Sequence, residues 1–365
     1  MRRSLNRAAR EIPPMGVTTI LPLVLVVLAA VTTGASTARA QVDPAAAPTV
    51  WIRDPVLVER ALGSTLNFPP GADIAIQIFR NGHTLVPLTE TFPAPLKTQD
   101  IQRVNAAVAR WKASGHGHVY GALDVLRWAE EGVDYRQGVL GKHEDWIAKD
   151  PYGRFGDADC DGICASPYSP EVRAALVELA RRTGRLLPSL DGIVLRATLA
   201  GHEQYLALTE DARVAYIREH QMDPIDGIGS GDRLVYQRES VTRLVLEMAR
   251  AYRQEQPQGW VVGLGWAAYY AVDESWRGLF AGDWVAWAKA GAVNEMWLYP
   301  DNPKCLHEPA PASQVADAVG QARREGIRYV RVVEAGSAAG PGERGPGEGE
   351  LGPVLAIDQA EQLPR

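Results

Sequence analysis

Short apolar runs alternate with longer amphipathic stretches along most of the chain. Eight runs have the length and the β-branched or aromatic content of buried strands: TVWI (49–52), DIAIQIF (73–79), HVYGALDVL (118–126), LDGIVLRATL (190–199), GWVVGLGWA (259–267), VNEMWLYP (293–300), IRYVRVVEA (327–335) and GPVLAI (352–357). Between them SPEVRAALVELARRTG, TEDARVAYIREHQ, RESVTRLVLEMARAYRQ and ASQVADAVGQARREG place apolar residues at helical spacing. The first of these opens with Ser-Pro, carries an acid in its first turn and arginine in its last, as a helix start and stop require. Strands that alternate with helices predict parallel β-α units, and eight such units close most economically as an α/β (β/α)8 TIM barrel. An open doubly wound sheet is the competing arrangement.

In that architecture chemistry belongs to the loops that follow the strands. Two of these loops are unusual. The one after the third strand runs from about Arg127 to Ser169 and holds DADCDGICASP, an acidic insertion near 155–168. The one after the seventh, at 336–352, is rich in Gly, Pro and Glu and predicts a flexible segment.

The N-terminus departs from the alternation. Arg2, Arg3, Arg7 and Arg10 precede the apolar stretch GVTTILPLVLVVLAAVTTG, and Ala38 and Ala40 form an A-x-A site. This pattern predicts a secretory signal peptide over 1–40, with a single domain over 41–365, no membrane span after cleavage, and a secreted or periplasmic location. Retention of the apolar run as an N-terminal anchor is the alternative. Residues 1–40 contribute +4 of the net −6, which leaves −10 on the rest and argues against a nucleic-acid partner. The three cysteines, Cys160, Cys164 and Cys305, are too few for a disulfide framework. One bridge is compatible with export, between Cys160 and Cys164 or from either to Cys305.

Asp157, Asp159 and Asp161 occupy alternate positions and Gly162 the sixth, as at the start of a calcium loop, with the Ile163 carbonyl as the next expected ligand. The twelfth position is Tyr168 rather than a bidentate glutamate, so a complete EF-hand is not expected. A structural Ca2+ on this turn is one reading and a plain acidic turn the other. No other cofactor is called for.

HEDWIAKDPYGR, SPYSPEVRAALVEL, LDGIVLRATL, YLALTEDARVAYIREHQMDPID and DWVAWAKAGAVNEMWLYP follow one another in order over residues 118–300. In this they resemble the signature segments of the glycosyl-hydrolase-like 10 family of bacterial secreted proteins. The resemblance implies a glycosidase-like TIM barrel with a carbohydrate substrate or ligand. It also implies an aspartate three residues beyond Ile193, at the end of the fourth strand, where this chain has Arg196. The family's chemistry therefore does not transfer directly.

Glycoside cleavage commonly uses two carboxyl groups, about 5–5.5 Å apart for retention and about 6.5–9.5 Å for inversion. Glu203, just beyond the fourth strand, and Glu334, at the end of the seventh, match the layout of a large clan of barrel glycosidases. That likeness implies Glu203 as general acid and Glu334 as nucleophile or base. Asp124, in the third strand, is the third acidic candidate, either catalytic or paired with Arg196. Both Glu203 and Glu334 also have a bland reading, as a solvated loop acid and as a structural partner of Arg196 or Arg331. Trp128, Trp266, Tyr269, Tyr270, Trp297 and Tyr299 fall at or past strand ends, where flat rings stack on pyranose faces. Trp284 and Trp287, three apart on a helical stretch, read instead as helix packing.

Asp191 precedes its strand and reads as structural, as does the histidine pair in HGH at 116–118. The chain shows no phosphate-cradling glycine loop and no G-x-S-x-G elbow, which removes nucleotide and esterase chemistry. The sequence thus points to a secreted glycoside hydrolase-like barrel, or to a carbohydrate-binding barrel that has lost catalysis with Arg196 in the family acid's place.

Overall fold

A computed structural model describes residues 49–52, 73–114, 117–130, 134–149, 153, 162–197, 209–226, 231–267, 282–299, 312–327, 329–334 and 354–357. The fold is α/β with a mostly parallel sheet. Its strands are β1 (Thr49–Ile52), β2 (Asp73–Arg80), β3 (His83–Thr84), β4 (Val119–Asp124), β5 (Arg127–Glu130), β6 (Gly162–Cys164), β7 (Gly192–Arg196), β8 (Trp260–Trp266), β9 (Glu295–Tyr299), β10 (Tyr329–Glu334) and β11 (Val354–Ile357). All eight strands expected from the sequence are present. The parallel pairings run β1 to β2, β2 to β4, β4 to β7, β7 to β8, β8 to β9, β9 to β10, β10 to β11, and β11 to β1. The remaining strands are antiparallel additions: β3 folds back on β2, and β5 pairs with β6 as a separate hairpin within the long loop after β4.

The helices are α1 (Asp100–Ala113), α2 (Val139–Lys142), α3 (Pro170–Leu186), α4 (Glu210–His220), α5 (Gly231–Glu255), α6 (Trp284–Lys289) and α7 (Ala312–Arg324). Local chemistry sets where three of them start. Ser169 caps α3 by accepting from the Val172 N–H, Thr209 caps α4 through Ala212, and Asp283 caps α6 through Ala286. Each such cap is worth about 1 kcal/mol.

Strand alternation sends residues to two separate cores. Ile74, Ile76, Val119, Leu123, Ile193, Leu195, Val261, Met296 and Leu298 join the helices in one cluster. Ala75, Tyr120, Ala122, Val194, Val262, Leu264 and Trp297 form a second on the opposite face, here called the inner face. Trp284 and Trp287 are fully buried between α6 and the sheet, as their spacing predicts. Their indoles fit because β8 carries glycine there. A Cβ on Gly265 would sit 2.7 Å from Trp284 Cδ1, and one on Gly263 2.7 Å from the Met296 sulfur and 3.3 Å from Trp287.

The inner face is charged at the N-terminal edge of the strands. Arg331, with 1% of its surface exposed, donates to Glu295 at the start of β9 and to Asp73 at the start of β2. Tyr120 donates to Glu295 at 3.4 Å, and Trp297 donates its indole N–H to the same carboxylate at 2.7 Å. Asp73 accepts from the His118 backbone N–H and lies 3.2 Å from its Nδ1. Burial alone would raise the Asp73 carboxyl, but the His118 hydrogen bonds and the Arg331 charge hold it below the usual range. Burial and the Glu295 charge push the Tyr120 hydroxyl well up, so it stays a neutral donor. Nearby, Asp191 accepts from the Val119 N–H at 2.9 Å and from Lys112 at 2.7 Å, a structural role at this same edge.

Two outcomes follow. Gly265→Ala should lose about 1–3 kcal/mol in urea unfolding through overpacking against Trp284, whereas Gly320→Ala, whose Cβ would meet only the flexible end of Arg324 at an ordinary 3.5 Å within α7, should be neutral or slightly stabilising. The hydrogen bond to Asp73 raises the His118 pKa above 6.5. Its contribution to stability is therefore complete below pH 6.5 and fades as pH rises through the folded value, and it is small because the imidazole is 53% exposed. An NMR titration should find the His118 midpoint above 6.5 and see it fall in Asp73→Asn; a midpoint that ignores the substitution contradicts the pairing.

Candidate functional site

Parallel α/β sheets place ligands at the C-terminal ends of their strands. Four adjacent strands, β4, β7, β8 and β9, end there with polar or aromatic residues, Tyr299 packed against the inner-face cluster and Trp266 against the helix-side one. Asp124 closes β4 and Arg196 closes β7, and the two are direct register partners. Trp266 closes β8 and Tyr299 closes β9, and these are register partners as well. The sequence dictates this constellation through alternation. Tyr120, Ala122 and Asp124 share one face of β4, while Gly192, Val194 and Arg196 share one face of β7.

Within the cluster, Arg196 Nη1 lies 3.6 Å from Asp124 Oδ1, an ion pair longer than a hydrogen bond. The Asp124 side chain is only 2% exposed, and its Oδ1 is buried without a hydrogen-bond partner. The Arg196 guanidinium, 20% exposed, stands 5.9 Å from the centre of the Tyr299 ring. Tyr299 in turn is 6.2 Å from Trp266, the two rings tilted by 37°. Both rings are half-buried. The result is a cation, a carboxylate and two aromatic faces side by side, which together suit a polar ring compound with an apolar face.

Two aromatic residues expected to stack on a ligand do not offer a face to one. Trp128 is 2% exposed and sits edge-on to Phe79, Phe92 and Trp146, its indole N–H donating to the Val125 carbonyl at 2.8 Å. It is the hydrophobic centre of the β5–β6 hairpin. Trp297 is fully buried, edge-on to Tyr120 and bonded to Glu295. It belongs to the N-terminal network, one inward position below Tyr299.

Other expected site residues fall differently. Glu334 ends β10 in register with Leu355 of β11, and its side chain is outside the described residues. Glu203, Tyr269 and Tyr270 also lie outside them, as do Asp157, Asp159, Asp161, Cys160 and Cys305. Ile163, the expected carbonyl ligand of the calcium turn, is in β6 opposite Ala129, and Cys164 beside it is buried. Among the described residues no group of three His, Cys, Asp or Glu converges as metal ligands, and no helix is long and apolar enough to cross a membrane.

The hydrogen-bonded cluster of Asp73, Tyr120, Glu295 and Arg331 was not anticipated as a unit. Its signal was visible: Glu295 and Arg331 are charged residues inside otherwise apolar strand runs, on inward-facing positions. Shifted titration alone would nominate it as a site. Its position at the N-terminal edge and its internal hydrogen bonding make it a structural network. Arg331, one of the two partners that the bland reading of Glu334 offered beside Arg196, pairs here with Asp73 and Glu295.

No family model and no curated relative matches the chain. Solved structures with loose similarity include a beta-galactosidase from the psychrophilic Marinomonas ef1, at 12% identity and TM-score 0.45, covering 79% of this chain and 54% of that one. A beta-galactosidase from Bacillus circulans sp. alkalophilus has 13% identity and TM-score 0.48 over 78% of this chain and 44% of its own. An alpha-amylase from Lactobacillus plantarum has 8% identity and TM-score 0.42 over 79% and 62%. The chain thus spans about half the length of the solved structures it matches.

Proposed function

We propose that the eight parallel strands form a closed (β/α)8 barrel of glycosidase type, and that the protein is an exported glycoside hydrolase-like protein acting on a polysaccharide or cell-wall glycan. Support for closure comes from β1, which pairs with both β2 and β11, so that no parallel strand is left as an edge. The observation that carries the functional reading is the cluster of Asp124, Arg196, Trp266 and Tyr299 at the C-terminal ends of four neighbouring strands. The family resemblance of the sequence segments points the same way, as does the N-terminal signal pattern for export.

Carboxyl chemistry at such a site needs a proton donor to the leaving oxygen and a second carboxylate at the anomeric carbon or its attacking water. Glu203, which follows β7 in sequence, and Glu334, the last residue of β10, are assigned these two roles. Asp124 is assigned to accept a hydroxyl from the bound sugar, because its buried Oδ1 is an acceptor with no hydrogen bond of its own. Trp266 and Tyr299 are assigned to carry the apolar face of the ring.

A second reading is favoured by one specific residue. Arg196 stands where the family pattern has an acid, and a barrel that binds glycans without cleaving them accounts for that exchange. A reducing-end release assay on a polysaccharide panel, with the chain from Gln41 onward, separates the two. Hydrolysis should be detected, and Glu203→Gln or Glu334→Gln should lower kcat by about 10²–10⁴-fold. Cleavage unaffected by either substitution overturns the assignment, and binding without cleavage replaces the hydrolase with the binding protein.

A further inference from the structure

A guanidinium at the mouth of a glycan site is a specific choice. Neutral sugar hydroxyls are recognised well by amides and carboxylates, whereas arginine offers a permanent charge and a planar fork of five donors that matches a carboxylate in two parallel hydrogen bonds. Arg196 brings that fork to the inner C-terminal edge, 5.9 Å from the Tyr299 ring and 3.6 Å from Asp124 Oδ1. Three chemistries therefore follow one another along this edge: a buried acceptor for a hydroxyl, a cation for an acid group, and the half-buried rings of Tyr299 and Trp266 for an apolar ring face. A hexuronate presents all three complements on one pyranose.

We propose that Arg196 selects glycans with carboxylated, uronate-type sugar units, its guanidinium binding the sugar carboxylate while Asp124 accepts a hydroxyl of the same residue. This rests on the reading of the C-terminal edge as a glycan site and names the substrate class of that site. The strand register supports it. Asp124 and Arg196 are adjacent on β4 and β7, so one ligand ring spans both without movement of the sheet. Arg196 also occupies the position where the family resemblance implies an acid, and an acid there would repel the same carboxylate.

The test is calorimetric binding of an oligogalacturonate and of the same oligomer after reduction of its carboxyl groups. Wild type should bind the acidic form at least about tenfold more tightly, the yield of charge-assisted hydrogen bonds, and the preference should shrink as salt is raised. Arg196→Gln should abolish the preference by lowering affinity for the acidic oligomer far more than for the reduced one; Arg196→Lys should restore only part of it, since lysine keeps the charge without the fork. Equal wild-type affinity for the two forms overturns the proposal, and that comparison does not depend on any variant folding. An equal loss for both oligomers in Arg196→Gln also overturns it, by showing a structural role. Binding of the reduced oligomer alone sinks the uronate specificity but leaves the glycan site standing, whereas binding of neither form to wild type removes both.

Discussion

The rest of the structure depends on the burial of one arginine. A guanidinium with 1% of its surface exposed is tolerable only where carboxylates meet it. Arg331 meets that condition by drawing Asp73 from β2 and Glu295 from β9 onto β10. Asp73 lies 258 residues from Arg331 and Glu295 lies 36, so the pairing works as a register device. A slip of one residue in any of them would turn its charge toward the helices and leave the others uncompensated.

That network determines how the two edges of the sheet differ. At the N-terminal edge charges are satisfied internally: Tyr120 and Trp297 complete the coordination of Glu295, while His118 completes that of Asp73. Among the described residues at this edge, no Asp73 or Glu295 oxygen is buried without a hydrogen bond. At the C-terminal edge the arrangement is looser. Asp124 and Arg196 stand beyond hydrogen-bond length, one buried carboxylate oxygen has no hydrogen bond, and two aromatic rings remain half-buried. The edge whose buried carboxylates are hydrogen-bonded is thus read as the structural one, and the edge where a buried Asp124 oxygen has no hydrogen bond is where the proposed ligand binds.

Most of the scaffold was legible in the sequence, because strands buried on both faces read as continuous apolar runs. The register of β4, with Tyr120, Ala122 and Asp124 on one face, followed from alternation alone. The β5–β6 hairpin did not, since four-residue and three-residue strands inside a polar loop carry too little pattern to stand out. The same gap misplaced Trp128. From its distance past the strand it belonged at the rim, but Phe79, Phe92 and Trp146 enclose it. Trp297 was misplaced for a different reason: it lies inside its strand rather than at the end, and only Tyr299 reaches the edge. The partners of Arg331 were beyond the sequence because a long-range ion pair has no local signature. Asp124 and Arg196 were within reach because neighbouring strands bring their final residues together.

The account's central claim is that ligands enter at the C-terminal edge and that the N-terminal edge is structural. A crystal structure of the protein soaked with an oligosaccharide it binds tests this most directly. The account predicts a sugar ring against Tyr299 and Trp266, with polar contacts to Arg196 and Asp124, and an unchanged Arg331 network. A sugar seated instead at the opposite edge, against His118 and Trp260, would contradict it.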